Sequence, residues 1–112
     1  MSEKNFGQLG QNFQKSLIKV IIENKKFAVT IVDVIESKYF DGPYFRYIIE
    51  NVKELYGKYG EMPSYETLAQ KIMTENVKDT TSSIHMDTLK GIQEHDLTNE
   101  SWIMDTAMNF CK

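Results

Sequence analysis

Hydrophobic positions recur along this chain at spacings of three and four, the period of a helix with one buried face. Phe13, Leu17, Val20 and Ile21 form such a face from Asn12 onward, and Ile18 and Ile22 widen it. Asn24-Lys25-Lys26 interrupts the pattern. The longest regular stretch holds Phe45, Ile48, Ile49, Val52, Leu55, Tyr56 and Tyr59 on one face. Asp41-Gly42-Pro43 forms a turn ahead of it, with Pro43 suited to a first helical turn. Gly60 predicts its end, and Ser64 predicts the cap of a following helix that carries Tyr65, Leu68, Ala69, Ile72 and Met73.

The remaining segments are less regular. The first residues read as loose, with Gly7 and Gly10 flanking a polar stretch. Phe27 to Ile35 fits a strand by its β-branched residues and a helix by the spacing of Phe27, Ile31, Val34 and Ile35. Helical neighbours and the lack of a second strand to pair with favour helix. Val77 to Ser83 is rich in Thr and Ser and predicts a loop. A shorter helix then rests on Leu89 and Ile92, weakened by Gly91. After a connection at His95 to Thr98, Asn99 is positioned to cap a last helix with Ile103, Ala107, Phe110 and Trp102. That pattern is unbroken at Lys112, which predicts a helix cut short and a fragment of a longer protein. The expected fold is all-α, one compact bundle of about five to six short helices over 1–112.

Composition narrows the function by exclusion. Hydrophobic residues make up 41% and charged residues 26% of the 112, ordinary for a soluble globular domain. A net charge of −3 supplies no basic field that would draw the whole chain onto nucleic acid. The single cysteine, Cys111, excludes an internal disulfide and suits a reducing compartment. With no apolar run near the roughly 20 residues of a membrane span and no secretory leader, a cytoplasmic location is expected.

The search for chemistry finds no catalytic constellation. Gly57-Lys58-Tyr59 lacks the upstream glycine and the Ser or Thr of a phosphate-binding loop, so it reads as a helix end. His85 and His95 are out of helical register with each other, and Cys111 has no ligand near it in sequence. Two surface histidines are therefore expected, with no metal site. Cys111 with a histidine is the only conceivable nucleophilic pair, and a cysteine on the apolar side of a terminal helix fits core or interface better. The tyrosines could stack single-stranded bases, but Glu50, Glu54, Glu61 and Glu66 stand among them, which favours core and protein interface. Tyr44 and Tyr47, off the main stripe, are candidate interface residues, together with Trp102 and Phe110.

Several short motifs resemble the start of DnaB-like replicative helicases of tailed phages. They are Phe6-Gly7, Gly10, Phe13-Gln14, Tyr39-Phe40 and Tyr44-Phe45-Arg46, then Tyr56, Lys58-Tyr59-Gly60, Pro63-Ser64 and Leu68. Trp102 to Thr106 and Phe110-Cys111-Lys112 resemble the approach to that family's helical hairpin. The resemblance covers nearly the whole chain, through scattered motifs rather than one signature. It implies a non-catalytic N-terminal collar domain that supports hexamer assembly by pairing with other helicase subunits. It also implies docking of primase and helicase loader, with 99–112 as the start of the hairpin or linker helix. ATP and magnesium would belong to a downstream motor, and no cofactor is implied for this fragment. Direct DNA binding by it is not expected. The alternative is a free-standing small α-helical adaptor or regulatory protein.

Overall fold

A computed structural model of the chain describes residues 5–75 and 80–111. Among these described residues six α-helices run in chain order: α1 (Gly10–Glu23), α2 (Lys25–Ile31), α3 (Pro43–Tyr59), α4 (Tyr65–Glu75), α5 (Thr81–Glu94) and α6 (Glu100–Phe110). Short 3₁₀ turns at Phe6–Leu9 and Ser37–Tyr39 complete the all-α bundle, with no strand among the described residues. The segment of mixed propensity is helical to Ile31, continues as a turn through 32–34, and leaves Val34 43% exposed rather than on the core face.

α1 is the central element. It packs against α2, α3, α5 and α6, and all six of its expected face residues are buried. Such burial contributes about 1.5–3 kcal/mol for each large aliphatic side chain. Buried Gln14 then ties the helix to the following turn: its Oε1 accepts from the Asp41 amide at 2.7 Å and its Nε2 donates to Gly10 O at 3.2 Å. Both polar atoms are thereby satisfied, which a fully enclosed amide requires.

Local chemistry sets the breaks between helices. Asn24 ends α1 and caps α2, its side-chain oxygen accepting from the Phe27 amide at 3.1 Å. Gly60 closes α3 in the left-handed region at φ +69°, and its amide bonds Tyr56 O at 2.7 Å. A side chain there would strain the backbone. Pro63 is buried just after this turn, and Ser64 Oγ accepts from the Thr67 amide at 3.1 Å to start α4.

Four sequence expectations change. The 3₁₀ turn at Phe6–Leu9 replaces a loose start, because Phe6 is wholly buried. Thr81 to Ser83 forms the first turn of α5 instead of a loop, while 77–79 lie outside the described residues. Asn99 occupies the α6 N-cap position with φ +55° but makes no side-chain cap bond. Finally, α3 and α4 outrun the core: Leu55 is only half-buried, and Tyr59 and Met73 are 65% and 60% exposed. α6 extends to Phe110, with the Cys111 amide bonded to Ala107 O, and Lys112 lies outside the described residues.

Candidate interaction surface

The four candidate interface residues fall into two groups. Tyr44 and Tyr47 lie on the first turns of α3 and share one neighbour, His85 of α5. His85 stacks on the Tyr47 ring at 3.8 Å and meets Tyr44 edge-on at 5.7 Å. Tyr44 remains 39% exposed and Tyr47 half-buried. His85 is therefore a buried ring clamped between helices, correcting the expectation of a surface histidine.

Behind Tyr47 lies a polar network centred on Lys71 of α4. Its ammonium donates to Asn51 Oδ1 at 2.5 Å, to Glu54 Oε2 at 3.3 Å and to Glu75 Oε1. Tyr47 Oη donates to the other Glu75 oxygen at 3.2 Å. Burial alone would lower the Lys71 pKa, but the Glu75 and Glu54 carboxylates outweigh it and the pKa rises. Hydrogen bonding from Lys71 leads the causes that lower Glu75. Three donor bonds from one ammonium use its whole capacity, so Lys71 fixes α4 on α3 in a single register.

The second group sits on α6. Trp102 is 56% exposed, its ring edge-on to Phe13 at 5.8 Å. Phe110 faces inward, 4.2 Å from Phe6 and 5.4 Å from Tyr39, in a cluster that also holds Phe40. Aromatic area is thus spent on cohesion at Phe110 and left available at Trp102.

A cavity of about 400 Å³ beside Trp102 is bordered by Phe13, Ser16, His95 and Asn99. There His95 Nε2 and buried Ser16 Oγ stand 2.9 Å apart, joining the α5–α6 connection to α1. His95 is half-buried rather than a surface residue. Burial, reinforced by Lys15 and Lys19, lowers its pKa and holds the ring neutral near pH 7. Cys111, half-buried, lies near Tyr39, so the two histidines and the cysteine serve three different contacts. Among the described residues, no three His, Cys, Asp or Glu side chains converge as a metal site would need. No described helix is long and apolar enough to cross a membrane.

Tyr65 of α4 extends the polar ties. Its hydroxyl donates to Glu23 at 2.6 Å, and burial followed by that carboxylate raises its pKa well beyond the usual phenol range. Glu23 also pairs with Lys19 at 2.9 Å, and Lys19 donates to Gln93 O at 2.6 Å. α4, α1 and α5 are linked in one chain of bonds. None of these partners was marked by a sequence motif, because each joins residues distant along the chain.

Comparison with family models, with curated proteins and with solved structures finds no match for this chain.

Proposed function

We propose that this chain is a non-catalytic scaffold domain, the N-terminal collar of a phage-type hexameric replicative DNA helicase. Its role is to pair subunits and to offer a docking face for primase and helicase loader. The supporting observation is where the resembling residues lie. Phe6, Phe13, Tyr39 and Phe40 form one aromatic cluster, while Gly60, Pro63, Ser64 and Leu68 shape the turn from α3 into α4. The resembling motifs thus occupy positions that set helix geometry, as a scaffold requires. On this reading α6, with Trp102 outward, begins the family's hairpin, and ATP and magnesium act only in the motor domain.

Two measurements test the proposal. The reading frame beyond Lys112 is expected to continue into a Gly-x-x-x-x-Gly-Lys-Ser/Thr loop; a stop codon directly after Lys112 would sink the helicase reading and leave a free-standing adaptor. With the frame continued through its motor, light scattering is expected to give a hexamer, and a persistent monomer counts against the collar role.

A further inference from the structure

A cavity of about 620 Å³ forms a groove between α4 and α5, and its rim residue Asp87 also borders the cavity beside Tyr44. Its floor is apolar, made by Ala69, half-buried Met86 and buried Leu89. Its rim is acidic: Glu66 stands on the α4 side, Asp87 and Glu94 on the α5 side, all exposed. Among the described residues none of these three carboxylates forms an ion pair, although Lys90 lies on the same rim.

Glu94 ends α5, which has no basic residue in its last turn, and the helix dipole disfavours a negative charge there. Lys19 of α1 already meets the carbonyl end of α5 at Gln93 O, 2.6 Å away, so the three rim carboxylates are what the groove offers to an outside cation. The groove therefore combines an apolar trough that accepts aliphatic side chains with a rim whose charge calls for lysine or arginine.

We infer that the α4–α5 groove docks a basic amphipathic peptide segment of a partner protein, its apolar side chains on Ala69, Met86 and Leu89 and its cations on Glu66, Asp87 and Glu94. This goes beyond the helicase assignment and does not depend on it: the groove binds the same chemistry in a free-standing adaptor.

The probe is a fluorescent peptide of about fifteen residues, with leucines and lysines at helical spacing, titrated against the intact chain by anisotropy. A matched peptide with glutamate in place of lysine is the control. The lysine peptide is expected to bind at about 50 mM salt and to weaken as the Debye length shrinks, while the glutamate peptide stays free. Neutralising the rim with Glu66→Gln, Asp87→Asn and Glu94→Gln together is expected to weaken binding about tenfold. Ala69→Phe is expected to fill the trough and abolish binding, with folding checked by circular dichroism. Should that variant unfold, amide shift changes in the wild type decide, and they are expected at 66–69 and 86–94. Absence of binding at low salt overturns the proposal. So does equal binding by the rim variant, or equal weakening by Asp33→Asn with Glu50→Gln, two exposed carboxylates outside the groove.

Discussion

Two regions of this bundle are held together by different physics. In one, Phe6, Phe13, Tyr39, Phe40 and Phe110 bring the 3₁₀ turns, α1 and α6 together through ring contacts. In the other, Lys71, Asn51, Glu54, Glu75 and Tyr47 join α3 to α4 through directed polar bonds. The rings contribute area, which neither salt nor pH changes and which tolerates small shifts in angle. The lysine network contributes less net energy but permits one geometry only, and it responds to both salt and pH. A scaffold needs both cohesion and a fixed register, and here they are assigned to different regions.

The contrast can be broken first at the rings. Phe6→Ala removes a wholly buried side chain and is expected to cost about 3–5 kcal/mol in urea unfolding, independent of salt. A loss below about 1 kcal/mol would show that the aromatic region is not the cohesive one. The matching change in the polar region, Lys71→Met, keeps the stem and removes the charge. Its expected cost is about 1 kcal/mol, shrinking as salt rises, and a cost unaffected by salt would contradict an electrostatic role.

The pH dependence tests the polar network through Glu75. Glu75 has a folded pKa below its ordinary value of 4.5, so its contribution is present above 4.5 and is lost as pH falls through the lower folded value. Glu75→Gln is expected to destabilise at neutral pH and to match the wild type in strong acid; a constant difference across that range rules the linkage out. His95 acts in the same direction by another route. Its folded pKa lies below 6.5, so the unfolded chain takes up the proton first and stability falls as pH drops below 6.5. His95→Gln is expected to flatten that decline, and an unchanged pH profile would remove His95 as its source.

The smallest effect is expected at Trp102. With more than half its surface in water, Trp102→Ala is expected to change stability by only about 0.5–1 kcal/mol. A loss comparable to Phe6→Ala would make Trp102 part of the aromatic core and withdraw it as an interface residue.

The helical framework was legible in the sequence because it rests on local signals. The stripes of α1 and α3, the Gly60 stop and the Ser64 cap each depend on residues within a turn or two of one another. Phe6 was not legible: it stands alone between polar residues and glycines, and its burial comes from rings 7 to more than 100 positions away. Lys71 carries no local signal, since Asn51 and Glu54 reach it only after α3 and α4 have packed. His85 reads as a surface residue in sequence for the same reason, because Tyr44 and Tyr47 cover it from another helix. At the start of α5 the Thr and Ser residues resembled a loop, whereas the same residue types also favour helix N-termini. The acidic groove carried no motif at all, being assembled from two helices.

The 4.2 Å approach of Phe6 to Phe110 closes a loop across roughly a hundred residues. The same closure sets an order of events during folding. Helices form locally and early, while the Phe6–Phe110 contact must wait until nearly every residue between them has found its place.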